Sequence, residues 1–496
     1  MDTLEYRRHD ATALAQLIAR GEVSREEVLQ AALARLDEVN PQLNLLAQDL
    51  RHTLAQQSHS SGPFAGVPFL LKDLLADMRG IATGSGNRLL ATLPAAADSD
   101  MVTAYRRAGL VIIGKTTVPE WGLNPYTESE HYGLTRNPWH AGHTPGGSSG
   151  GAAAAVAAQV VPAAHGGDGG GSIRIPAANC GVFGLKPSRG RSSIGPVYTD
   201  SWQGLVAEHV LTRSVRDSAA LLDIAAAAPY SKPPLYHCPT PPLSFSGSLQ
   251  QPLPRLSIAV CDTPWLGGEV APAVRAAHAD TVALLQSLGH NVESARPAFA
   301  PPEILARAMM VLIAGEAAKT AQQLQQRIGR RLRHDDVEAA TWVLIVRGRQ
   351  LSAGEAYWAR DVVLEQAHIA AEFHRRHAVL CTPVLPQLPP AVGGLALPPM
   401  QQQLTRWLFG RLHLGVLARN NPIIENQALR LMQHIGFTVP FNMSGQPAMS
   451  VPLYWHENTL PVGSQFVAAH GQEALLLQLA QELEQARPWF HRTPPL

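Results

Sequence analysis

The segment Gly146–Ala177, GGSSGGAAAAVAAQVVPAAHGGDGGGSIRIPA, constrains this chain more than any other. It opens on a Gly-Gly-Ser-Ser-Gly-Gly turn, two hydroxyls flanked by residues with almost no bulk. Next comes Ala152–Val160, which reads as an Ala-rich helix with side chains small enough to pack tightly inside a protein. The third part sets Gly169, Gly170 and Gly171 directly before Ser172. With no Cβ in the way, consecutive N–H groups there can turn toward one point. Such a nest binds an anion, or the oxyanion of a tetrahedral intermediate forming on Ser172. Asp168 and Arg174 flank the turn and are expected to pair across it and hold it rigid.

Together the two Gly-Ser turns suggest two serines brought into one site, which then lacks a base. The base is not obviously a histidine. Lys72 closes the apolar run Phe69-Leu70-Leu71, and burial there would favour the neutral amine, a proton acceptor near neutral pH. Ser–Lys catalysis is a known variant of the catalytic triad. Composition adds weight. Only five of the 40 cations are lysine, and three of them, Lys72, Lys115 and Lys186, stand in apolar or Gly-rich stretches.

Three other patterns compete with this reading. Gly147-Ser-Ser-Gly-Gly151 fits the GxSxG elbow of α/β-hydrolases, with Ser149 as nucleophile. That elbow needs a strand before it, whereas Asn137–Pro145 is polar and Pro-punctuated loop. Gly109–Thr116 matches GxxxxGK[ST] in letters, yet its four intervening residues are apolar and make a buried strand rather than a phosphate cradle. His140 and His143 have no carboxylate or cysteine partner in sequence and read as surface, not metal ligands.

The 496 residues suffice for two to four domains or one large α/β unit. A formal charge of +1 gives no field for holding nucleic acid or an anionic membrane. The polar N-terminus lacks a signal-peptide core, and the longest apolar run, Ala152–Ala164, is interrupted and too short to span a bilayer. Four scattered cysteines argue against a disulfide scaffold, so a soluble, cytoplasmic protein is expected.

Helices are expected over the first 50 residues, where Ser24 and Glu27 form a capping box, and over most of 303–375. Strands are expected at Gly66–Leu71, Leu110–Ile113, Ser257–Cys261, Ala448–Leu453 and Val462–Ala468, with helices at Val274–Leu288 and Glu473–Gln485. Residues 225–255 are Pro- and Ser-rich, a surface loop or a seam between halves. This alternation argues an α/β fold with a largely buried mixed sheet.

The chain resembles the amidase signature family: Gly146–Ala177 matches the signature, and VPFLLKDL at 67–74 is similar to the segment carrying the family's catalytic lysine. GKTTVPEWG, TRNPW, GLKPSRGR and PFNMSGQPAMSVPL follow in the family's order, and the likeness is weakest between 230 and 435. It is strongest toward bacterial amidases that degrade nylon oligomers and their urethane-cleaving relatives. The resemblance implies one domain over 1–496, a large mixed central sheet covered on both faces by helices, with a signature core at about 60–225 and a divergent helical substrate side at about 300–435.

It also implies a Ser–cisSer–Lys triad, with Ser172 the nucleophile, Ser148 the bridging serine after a cis peptide, and Lys72 the general base. Gly169, Gly170, Gly171 and the Ser172 amide match the oxyanion hole, with Asp168, Arg174 and Ser149 as support. No metal and no cofactor are implied. The expected partner is a neutral small-molecule amide, anilide or carbamate, since no Arg or Asp/Glu cluster accompanies the motif. Its pocket is expected from the loop Trp121–Tyr126 and the 300–435 region, although Trp121, Tyr126 and Trp407 read equally well as core aromatics. A homodimer is common in the family. Alternatives are the glutaminase subunit of a tRNA-dependent amidotransferase, an esterase using Ser149, and a non-catalytic scaffold.

Overall fold

The computed structural model describes residues 1–57, 61–228, 230–232, 235–236, 238–411 and 422–496. In chain order its strands are β1 (Leu46–Asp49), β2 (Pro68–Lys72), β3 (Val111–Thr116), β4 (Glu128–Ser129), β5 (Gly133–Leu134), β6 (Ala163–Asp168) and β7 (Phe183–Lys186). There follow β8 (Ala207–Thr212), β9 (Ser257–Val260), β10 (Asn291–Ser294), β11 (Val379–Pro383), β12 (Ala448–His456) and β13 (Leu460–Ala468). Among the described residues eleven of these form one sheet, ordered β1-β3-β2-β6-β8-β7-β12-β13-β11-β9-β10, while β4 and β5 pair separately. β2 runs parallel to β3 and β6, and β9 parallel to β10 and β11. The other pairs are antiparallel, so the sheet is mixed.

Side-chain alternation explains how the sheet is covered on both faces. In β2, Phe69 and Leu71 join a core with Ile112, Val210, and Leu476 of the C-terminal helix Glu473–Ala486. Leu70, between them, faces the opposite way and packs with Ile113, Ala164 and the Ala-rich helix Gly150–Ala157. Every residue of that helix is buried, which accounts for the small side chains read in the sequence.

Most expected elements are present with shifted ends. The strand expected at Gly66–Leu71 is Pro68–Lys72, so Lys72 is its last residue rather than the one after it. The helical region consists of Pro302–Ile328, Ala339–Arg349 and Ala353–Phe373. The capping box at Ser24 and Glu27 forms as read. Gly109–Thr116 leads into β3, and Lys115 donates to Ala82 O (2.9 Å) and Thr83 Oγ1 (2.7 Å), a fixed strand lysine rather than part of a phosphate loop.

Other elements depart from expectation. The first 50 residues are not wholly helical, since Leu46–Asp49 is strand β1. β6 has no local signal: AAHGGD has no β-branched residue to mark a strand, and pairing with β8 and β2 makes it one. The Pro-rich stretch 225–255 does not separate two sheets, because β7 before it pairs with β12 after it. All four cysteines are free thiols, and no helix among the described residues is long and apolar enough to cross a membrane.

Candidate active site

The parallel strands β2 and β6 lie side by side, with Leu70 opposite Ala164, and end at the same edge of the sheet. Their last residues are Lys72 and Asp168, so two buried ionisable groups stand where the strands stop. The carboxyl ends of parallel strands are where α/β sheets place ligands.

Lys72 is 1 % exposed, and its Nζ donates to Ser148 Oγ at 2.8 Å and to Gly167 O at 3.0 Å. Burial pushes its amine down from the ordinary lysine value to about 7, against the upward pull of Asp168 and Glu208. The Gly147–Ser148 peptide is cis, as the resemblance implied. Ser148 and the half-buried Ser172 line one cavity with Lys72, Gly167 and Gly169. Among the described residues the Ser172 hydroxyl takes no protein partner.

Ser149 sits differently. It is fully buried, its Oγ lies 3.3 Å from both Gly167 O and Gly167 N, and its amide donates to Ser172 O at 3.2 Å. No strand leads directly into it, and it lines neither lobe of the cavity described below. It braces the turn that carries Ser172.

Asp168 and Arg174 pair as expected, through Nε–Oδ2 at 3.0 Å and Nη2–Oδ1 at 2.9 Å, with both side chains fully buried. Asp168 also accepts from the amides of Gly171 (2.7 Å) and Ile173 (3.2 Å), so one carboxylate shapes the whole turn. Burial alone would push this carboxyl up, but the Arg174 guanidinium outweighs it and holds it well below the usual carboxylate range.

Gly171 therefore differs from its expected place in an oxyanion hole, because its N–H is committed to Asp168. Its φ of +127° and the space around it admit only glycine. An added Cβ would stand 2.5 Å from Thr438 Oγ1 and 2.7 Å from Ile175 Cδ1. Among the described residues the amides of Gly169, Gly170 and Ser172 meet no protein acceptor and remain available to an anion.

Arg174 is anchored by residues that sequence reasoning did not single out: Gln465 Oε1 (2.7 Å), Asn442 Oδ1 (2.6 Å) and Thr438 O (3.0 Å). Asn442 lies in the PFNMSGQPAMSVPL segment that carried part of the resemblance, which was a signal. Thr438 and Gln465 had none.

The cavity has two lobes that share Gly122, Ser172 and Trp202. One lobe is walled by Leu123, Ile175, Met309, Ile313, Val343 and Met432, and among the described residues no charged side chain lines it. The other carries Lys72 and Ser148 at its floor and polar groups of the helix Pro302–Ile328, among them Thr320, Gln323 and Arg327. The expected wall segments are thus both present. Trp121 is buried at the edge of the polar lobe, Tyr126 is buried, and Trp407 is 51 % exposed. His140 and His143 contact each other edge to face and bond to backbone groups, and no cluster of metal-ligating residues occurs among the described residues.

The family model described as Amidase matches residues 27–477. A 6-aminohexanoate-cyclic-dimer hydrolase of Paenarthrobacter ureafaciens is 37% identical over 500 residues, covering 98% of this chain and 96% of its own length. Its counterpart from Pseudomonas sp. (strain NK87) is 38% identical over 497 residues, again covering 98% and 96%. The solved structure of a 6-aminohexanoate cyclic dimer hydrolase superposes with a TM-score of 0.87 at 35% identity, covering 99% of each chain.

Proposed function

The chain belongs to the amidase signature family of enzymes that hydrolyse amide C–N bonds, and we propose that it works through Lys72, Ser148 and Ser172 on neutral, chain-like amides. The observation that carries this reading is the buried contact of 2.8 Å between Lys72 Nζ and Ser148 Oγ, on the floor of the cavity that Ser172 lines. A lysine neutral near pH 7 accepts the Ser148 proton, and Ser148 takes the Ser172 proton as Ser172 Oγ attacks the carbonyl carbon. The amides of Gly169, Gly170 and Ser172 are the donors for the resulting oxyanion. Return of the proton through Ser148 protonates the departing nitrogen as the C–N bond breaks, leaving an acyl-enzyme on Ser172. Water then attacks by the same relay and frees the acid.

The apolar lobe supports an uncharged polymethylene or aryl group on one side of the scissile bond, because an ion placed there would lose its hydration without a partner. Cyclic nylon-type oligomers and carbamates fit that description, and the relatives' substrate, a 6-aminohexanoate cyclic dimer, is one such amide.

Brief exposure of the pure chain to a 4-nitroanilide, an aryl carbamate and 6-aminohexanoate cyclic dimer, followed by intact-mass analysis and peptide mapping, tests the assignment. A single acyl adduct on Ser172, absent in Ser172→Ala, is the expected result. An adduct on Ser149 would restore the esterase reading. No adduct and no amine release from the single chain would point to a subunit that needs partners.

A further inference from the structure

Behind Lys72 lies a second buried acid that the mechanism above does not use. Glu208 on β8 is 1 % exposed, and His165 on β6 is fully buried. The β6–β8 register sets Gly167 opposite Glu208, one residue short of Asp168. A point beside Gly167, where any other residue would carry its Cβ, lies 4.0 Å from Lys72 Nζ and 4.0 Å from Glu208 Oε1. Position 167 therefore puts no side chain between the amine and that carboxylate.

His165 links the Lys72 backbone, not its amine, to the Glu208 carboxylate. Its Nδ1 accepts from the Lys72 amide at 3.4 Å, which leaves Nε2 to face Glu208 Oε1 at 3.2 Å. That approach is off the hydrogen-bond line, and among the described residues both atoms are otherwise without a partner. Tyr105, on the helix Asp100–Arg107, packs against the His165 ring at 6.0 Å between centroids, and its buried hydroxyl also lacks a partner. The other ionisable groups around this corner are Asp168, which also pulls on Lys72 but is paired with Arg174, Tyr105 and Tyr198, on which the Glu208 charge acts, and His209 on β8, which interacts with His165. Lys72 thus carries the amine on which the Glu208 carboxylate acts.

We propose that Glu208, oriented by His165, is the positioning residue that supplies the counter-charge for Lys72 when the relay delivers a proton to it. The inference rests on the reading of Lys72 as the general base. In the attack step one proton leaves Ser172 Oγ and one arrives on Lys72 Nζ, so a buried ammonium forms where none stood before. Asp168 acts on Lys72 too but is shared with Arg174 and the glycine turn, and among the described residues the other buried carboxylate acting on Lys72 is Glu208. Without it the ammonium would be balanced only by Asp168, which Arg174 already shares, and Lys72 would hold a proton less readily.

The test is the pH profile of kcat/KM, on a 4-nitroanilide, for the wild type, Glu208→Gln, Glu208→Asp and His165→Asn, with Lys72→Ala as reference. Removing the carboxylate charge lets Lys72 stay neutral to lower pH. The acid limb of Glu208→Gln is therefore expected to move down by about one pH unit while kcat falls about tenfold or more, the base having weakened. Glu208→Asp, which keeps the charge, should retain most of the wild-type limb. His165→Asn should shift the limb in the same direction by less, and serves if Glu208→Gln fails to fold. A limb that stays in place, or moves up, in folded Glu208→Gln or His165→Asn overturns the proposal. If the Lys72→Ala enzyme keeps the wild-type activity and limb, the limb is not that of Lys72 and the base assignment itself fails.

Discussion

Asp168 and Arg174, six residues apart, form a two-pronged ion pair with no solvent contact, and through it strand β6 is tied to the turn that carries Ser172. The pair reaches further than its own loop. Arg174 also bonds to Thr438, Asn442 and Gln465, so segments almost 300 residues away fix the same turn. The reactive serine is positioned by a network whose members are scattered along the chain.

Breaking that pair on one side should be costly. Arg174→Met leaves the Asp168 carboxylate buried and unbalanced, and a loss of about 3–5 kcal/mol in chemical denaturation is expected. The pH dependence has a definite sign. The folded carboxyl titrates below its unfolded value, so the pair's contribution is present above about pH 4 and fades as the solution becomes more acidic. The stability gap between wild type and variant should narrow below about pH 4.

Activity should follow the protonation of Lys72. The neutral amine is the competent form, and burial places its titration at about 7. The kcat/KM profile is expected to rise about tenfold per pH unit below 7 and to level off above it. A flat profile between pH 5.5 and 8 on a substrate with no ionisable group would contradict a lysine base.

Gly171→Ala tests the turn. The left-handed backbone and the contacts with Thr438 and Ile175 leave no room for a methyl group. A loss of about 1–3 kcal/mol is expected from the backbone conformation, with more from the clash. Since Ser172 is the next residue, turnover should fall further than binding of substrate, which separate kcat and KM values would reveal.

The apolar lobe predicts how rate depends on chain length. Each methylene that reaches it should raise kcat/KM about fourfold, from about 0.8 kcal/mol of burial, until the lobe is full. Ile313→Asp places a charge on that wall and should flatten the series while sparing the shortest amide. Equal losses for short and long substrates would place the chain elsewhere.

Lys72, Lys115 and Lys186 show how far the sequence reached. A chain with only five lysines that places three of them in apolar or Gly-rich stretches signals buried amines, and all three are buried. The amine of Lys186, like that of Lys72, is pushed down to about 7 by burial, so burial does not distinguish a base from a core lysine. Lys186 donates to Pro187 O and Lys115 to Ala82 and Thr83, whereas Lys72 reaches a serine hydroxyl beside a cavity.

The same division runs through the fold. Local chemistry made the Ala-rich helix, the capping box at Ser24 and the Asp168–Arg174 pair legible, because each depends on residues near one another in the chain. β6 was hidden, since AAHGGD has no strand propensity and becomes a strand only when β2 and β8 supply partners. Thr438 and Gln465 were hidden for a related reason, as nothing in their own segments marks them as ligands of Arg174. The order of small residues, hydroxyls and one lysine determined by itself which chemical groups this protein has to work with. Tertiary structure decided which amides remain free, which way Ser149 turns, and which lysine meets a serine, because hydrogen bonds and burial depend on separations in space that spacing along the chain does not define.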